Sequence, residues 1–171
     1  MVDVAALRPG VVGIDLAGGP VPTHAWRLAD YAPAFLRAAE HGLGRTVHAA
    51  EGRPPQEIRT AVEVLGALRI GHGTTLLYDP EVVALVVERG ATIEACPTSN
   101  VHTGVIDAVT AHPLRQWLDA GVKVCVCTDN TLLSDVTASE ELRRVSEIAG
   151  MTATHLDALV RHGHDGAFTR L

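Results

Sequence analysis

The sequence predicts an α/β fold built from parallel βα units, a portion of a (β/α) barrel. Short apolar runs alternate with stretches of helical periodicity along all 171 residues. The runs are almost continuously apolar, as in strands covered by helices. Four of them end in a polar group able to bind a metal or move a proton. His48, His72 and Cys96 follow one another at intervals of 24 residues, and Asp129 lies 33 further on. Barrels of this kind load their sites from the C-terminal ends of successive strands.

The elements follow in order. Residues 11–16 read as a buried strand, stopped by a turn at 17–20 whose paired glycines allow close backbone approach. Residues 25–41 suit an amphipathic helix closed by Gly42 and Gly44. A second strand covers 45–49. Pro54 and Pro55 suit a helix start, with Ile58, Ala61, Val62, Leu65 and Leu68 at helical spacing. Residues 68–71 form a third strand and 80–89 a helix ended by Gly90. A fourth strand at 91–95 is bounded by Pro97. A helix at 112–120 is closed by Gly121, and 122–127 give a fifth strand. The tail is helical over 139–150 and from 154 to about 171. The whole chain reads as one unit with no linker or low-complexity segment.

Composition narrows the function classes. The formal net charge is −6 and no basic cluster exceeds Arg143-Arg144, which argues against nucleic-acid binding. No run approaches the roughly 18 apolar residues of a membrane span, and the first residues lack a secretory pattern. The three cysteines, Cys96, Cys125 and Cys127, form an odd set that reads as reduced thiols in a cytoplasmic protein.

The chemistry sits at the strand ends. In the fifth strand Cys125, Cys127 and Asp129 share one face. If Asp129 points into a site, both cysteines line the barrel interior as small buried residues. Metal ligation by them is the alternative, though no second cysteine pair at ligand spacing accompanies it. His48 and Glu51 straddle a strand end, so an imidazole and a carboxyl can address one ligand. His72 lies between Gly71 and Gly73, which leave room for a substrate. Each alone has a structural reading, His48 as a surface histidine and Asp129 as a cap. Their common position at βα spacing makes one constellation of them.

Asp15-Leu-Ala-Gly18, His48-Ala-Ala-Glu51, Arg69-Ile-Gly-His-Gly73, Glu94-Ala-Cys-Pro-Thr-Ser-Asn100 and Thr128-Asp-Asn130 resemble, in order and near spacing, the motifs of the adenosine deaminase family, metal-dependent (β/α)8 barrel deaminases. The resemblance runs from about residue 11 to the end. It implies the last five or so βα units of the barrel, and hydrolytic deamination of adenosine or a related adenine nucleoside. It implies Zn²⁺ held by His48 and Asp129, with Glu51 passing a proton to purine N1. His72 would orient and help deprotonate the attacking water. The Gly18 N–H would bind purine N3 and Asn130 would meet N7. Many relatives carry Asp at the position of Asn130, but N7 is an acceptor that an amide N–H₂ can serve. Ala50 stands where the family usually has Gly, placing a methyl where it would narrow the pocket or shift Glu51.

The family's first strand ends in a His-x-His pair that supplies two further ligands, and nothing before Val11 provides it. His162-Gly-His164 reads as a pair on a helical surface, with a permuted ligand pair as the alternative. The expectation is therefore a partial barrel completed by another chain carrying the His-x-His half, or by a second copy. An open sheet of this kind would expose two edges and part of an apolar interior. A deaminase-like fragment without activity, serving as scaffold or partner subunit, is the competing expectation.

Overall fold

The computed structural model describes residues 1–18 and 24–169. Its strands are β1 (Gly13–Leu16), β2 (Gly44–Ala49), β3 (Arg69–His72), β4 (Thr92–Ala95) and β5 (Lys123–Val126). They form one parallel sheet in sequential order. The helices are α1 (Val2–Ala6), α2 (Ala32–Glu40), α3 (Gln56–Glu63), α4 (Pro80–Arg89), α5 (Pro97–His102), α6 (Leu114–Asp119), α7 (Thr131–Ser134), α8 (Ala138–Val145) and α9 (Ala153–Asp165). Five sequential parallel strands with helical crossovers match the expected partial (β/α)8 barrel.

Register assigns the two faces of the sheet. Val47, Ile70, Ile93 and Val124 are mutual partners across β2 to β5, and all are fully buried against the helices. Ile58, Val82, Val86, Leu114 and Trp117 complete that layer from the helical side. The opposite face, the concave one, carries Thr46, Arg69 and Thr92 in one row and His48, Gly71, Glu94 and Cys125 in the next. Arg69 Nη2 lies 2.5 Å from Glu94 Oε1, and Thr46 Oγ1 donates to Glu94 Oε2 at 2.7 Å. The expected apolar interior is thus corrected: near the middle of the strands this face is polar and internally paired. A buried charge is tolerated only with such partners.

Element boundaries differ from expectation where proline intervenes. The helix expected over 25–41 divides into a 3-10 turn at Leu28–Tyr31 and then α2, with Pro33 in its first turn. Proline lacks the N–H that a helix interior requires but not the one at its start. For the same reason Pro97 opens α5 rather than merely ending β4. The short helices α1 and α7 have no periodicity to announce them. α4 has its expected bounds, with the Asp79 carboxylate accepting from the N–H groups of Glu81 and Val82, and Gly90 left-handed at φ 63°. The end of the turn expected at 17–20 and the last two residues of the tail lie outside the described residues.

Candidate active site and metal cluster

Three side chains converge at the C-terminal ends of the strands. His48 is the penultimate residue of β2, His72 the last of β3, and Asp129 lies three residues beyond β5. One ligand atom from each falls within 4.8 Å of the others. The His48 and His72 rings meet edge-on with centroids 5.0 Å apart. Gly71 makes this approach possible, because a Cβ there would stand 3.2 Å from the His48 ring. The glycine before His72 therefore makes room for a neighbouring side chain, not for a substrate.

The backbone is strained at the same place. Among the described residues only Ala50, His72, Asp129 and Asp135 combine a side chain with positive φ. Ala50 has φ 57°, a backbone conformation that favours glycine. Its methyl is wholly buried in the hydrophobic core, so it does not narrow the cleft. Positive φ at His72 (69°) turns its side chain out of the strand alternation and into the mouth, and Asp129 beyond β5 also has positive φ (58°).

Glu51 joins the cluster through α5. Asn100, fully buried, places Nδ2 at 3.2 Å from Glu51 Oε1 and 3.1 Å from His72 Nδ1. Thr103 Oγ1 donates to the same Glu51 oxygen at 3.1 Å. Ser99 Oγ donates to Asp129 Oδ2 at 2.6 Å. One residue earlier, the Thr98 N–H donates at 2.7 Å to Glu141, a carboxylate of α8 with no solvent exposure. Three consecutive residues thus tie the cluster to the body of the protein. Gly18 lines the cleft together with His48, Glu51, His72 and Asp129. Asn130 is exposed and its Oδ1 accepts from the Leu133 N–H at 2.9 Å, capping α7, which commits the acceptor end of its amide to the helix.

Comparison with known proteins decides the family. The model of the family described as adenosine deaminase matches residues 2–170. The chain belongs to the adenosine deaminase family. An adenosine deaminase from Shewanella denitrificans is 37% identical over 163 residues, covering 95% of this chain and 48% of that protein. The crystal structure of an adenine deaminase from Arthrobacter aurescens superposes with a TM-score of 0.84 at 28% identity, over 94% of this chain and 48% of that one. An amidohydrolase from Burkhoderia ambifaria, solved with bound Zn, gives a TM-score of 0.84 at 26% identity over 99% of this chain and 48% of that one. The chain spans about half the length of the relatives it matches.

In this adenosine deaminase family member the donor set fits a divalent metal. Two imidazoles and a carboxylate suit an ion of intermediate softness. Two of the three groups are oriented by a partner: His48 Nδ1 lies 3.1 Å from Asp15 Oδ1, and Asp129 is held by Ser99. The Asp15 hydrogen bond raises the pKa of His48, whereas burial lowers that of His72, with the neighbouring His48 adding to the effect. The two rings are therefore pushed apart in proton affinity, and His72 stays neutral near pH 7. His162 and His164 lie elsewhere, on α9, where His162 meets the backbone of Val124. Cys125 in β5 and Cys127 just beyond it are free thiols with sulfurs 3.8 Å apart.

Asp15, Ser99 and Asn100 stood inside the motifs read from the sequence without a role. Their partners come from distant parts of the chain, in or just beyond other strands, and only Ser99 and Asn100 beside a strand end hinted that α5 faces the site.

Proposed function

We propose that this chain carries the C-terminal part of a deaminase active site, for hydrolytic deamination of adenosine or a related adenine nucleoside to the 6-oxo product and ammonia. The observation that supports it most is the meeting of His48, His72 and Asp129 within 4.8 Å, with Glu51 hydrogen-bonded to the same group through Asn100. A scaffold has no use for that arrangement.

In this reading His48 and Asp129 would hold Zn²⁺, which would supply Lewis acidity that makes water a nucleophile at neutral pH. Glu51 delivers a proton to purine N1 as C6 becomes tetrahedral. His72, neutral and shielded, orients the attacking water and accepts its proton. The Gly18 N–H holds purine N3, and the Nδ2 of Asn130 donates to N7. The proton taken by His72 passes to the exocyclic amino group and the C6 hydroxyl proton returns to Glu51 as the C6–N bond breaks and ammonia leaves.

Of the three clustered groups this reading gives two to the metal and His72 to the water, one short of the three protein ligands a catalytic zinc site uses. The proposal therefore includes a complementary polypeptide that brings the His-x-His half; a second copy could close the sheet but would not supply that pair. The test is ammonia release from adenosine and from adenine by the purified chain, with and without the unmatched N-terminal part of a curated relative, at equal zinc. Turnover that appears only with the complement supports the reading. Zinc retention without turnover in either case would favour the scaffold alternative, and robust turnover by the lone chain would overturn the need for a complement.

A further inference from the structure

In a closed barrel every strand is paired on both edges. Among the described residues β5 pairs only with β4. The Cys127 N–H donates to Ala95 O at 2.7 Å. By the alternation of a parallel ladder, the N–H and C=O of Val124 then point to the opposite, open edge. Both are met by one side chain: His162 Nδ1 of α9 stands 3.2 Å from Val124 N and 3.2 Å from Val124 O. In one tautomer it accepts from the N–H, and in the other it donates to the C=O.

The rest of that segment turns over the edge onto the concave face. Gly163 faces Cys125, with 3.4 Å between the place of a Cβ on Gly163 and the Cys125 Cβ. Arg69 Nη1 donates to Gly166 O at 3.3 Å, and the Arg69 guanidinium lies 5.0 Å from the centre of the Phe168 ring. That ring fills a notch at the N-terminal ends of β1 and β2, where any side chain on Gly13 or Gly44 would collide with it. The N-terminal half of α9 is anchored separately, through Leu159, which is buried in the core. The fit over β5 is incomplete, since a crevice lined by Cys125, Val126, Leu142, Leu159 and Val160 runs beside the helix.

We propose that residues 162–168 form a cis strap, displaceable without unfolding the sheet, in which His162 caps the open edge of β5 and the residues after it lie over the concave face. Helices and loops commonly cover exposed strand edges. This one covers the edge that, on the proposed function above, a completing strand takes, so its opening controls whether that strand can add to β5.

The strap can be locked and read without any partner. Gly163→Cys in a Cys127→Ser background places a thiol close to the Cβ separation a disulfide spans to Cys125, about 3.5–4.5 Å. The readout is amide hydrogen exchange of Val124 against Ile93 in the central strand β4. With thiols reduced, Val124 should exchange about tenfold faster than Ile93 or more, because the strap opens below global unfolding. Oxidation should slow Val124 to the range of Ile93. His162→Ala in the otherwise natural chain should speed Val124 further and leave Ile93 unchanged. A Val124 amide already as slow as Ile93 in the reduced protein would make the strap a fixed part of the fold. No change on oxidation, or no disulfide under mild oxidant, would show that the segment does not cover β5. Exchange is blind to deamination, so this outcome and that of the proposed function are independent.

Discussion

His48 Nδ1 hydrogen-bonds Asp15 Oδ1 at 3.1 Å across the β1–β2 pair, which leaves Nε2 to face the metal in the proposed function. The contact both aims the imidazole and raises its pKa. Asp15→Ala should therefore weaken zinc binding by about 10–100-fold, the usual effect of losing a partner behind a ligand. Asp15→Asn should cost less, because its Oδ1 still accepts. The pH dependence follows by sign. Metal needs the neutral ring, so affinity falls as pH drops through the raised pKa of His48. Asp15→Asn lowers that pKa and should move the acid limit of binding to lower pH. Competition with a chromogenic chelator between pH 5 and 8 measures both effects.

Glu51→Gln keeps an acceptor for Asn100 and Thr103 and removes only the exchangeable proton. In the completed assembly it should lower kcat by about 10²–10⁴-fold with zinc content unchanged. Loss of metal together with activity would mean that Glu51 serves the metal rather than the purine.

Asn100 is fully buried and bridges two ionisable groups that stand 3.7 Å apart, Glu51 Oε1 and His72 Nδ1. Asn100→Ala should destabilise the fold by about 1–3 kcal/mol through the unpaired groups it leaves. Asn100→Asp should be worse, since it sets a carboxylate against Glu51. Denaturant unfolding of the metal-free chain ranks the two.

His112 gives the fold an acid weakness apart from the site. Burial, reinforced by the charge of His72, lowers its pKa to about 3, and Nδ1 accepts from the Leu114 N–H at 3.2 Å. The unfolded chain takes up a proton below about pH 6.5 while the folded chain does not. Stability is thus fully present above pH 6.5 and falls by about 1.4 kcal/mol per pH unit between 6.5 and 3. His112→Asn preserves an acceptor for Leu114 and should flatten that slope by roughly one proton. Thermal melts across pH 4–7 test it.

The sequence carried the strand order and the residues that end each strand, because apolar runs and their polar stops are local. His48, His72 and Asp129 were legible for that reason, and the structure brings them together. What pairs across strands was not legible. Asp15 reaches His48 only because β1 and β2 align Asp15 with Thr46, a register no local pattern states. The Arg69–Glu94 pair was hidden within strands that read as apolar, and Pro97 was taken for a stop although it also starts a helix. The passage of α9 over the edge of β5 depends on a tertiary contact between residues 38 apart.

The left-handed residues at the mouth decide where this protein can be made sturdier. A side chain in that region costs on the order of 1–2 kcal/mol, which glycine avoids. At Ala50 the exchange to Gly is open, but it deletes a buried methyl worth about 0.8 kcal/mol, so the net gain is small. At His72 and Asp129 the same relief would erase the imidazole and the carboxylate themselves. Thermostabilising selection should accept glycine at the first position and refuse it at the other two wherever activity is also demanded, leaving part of the fold's instability permanently tied to its chemistry.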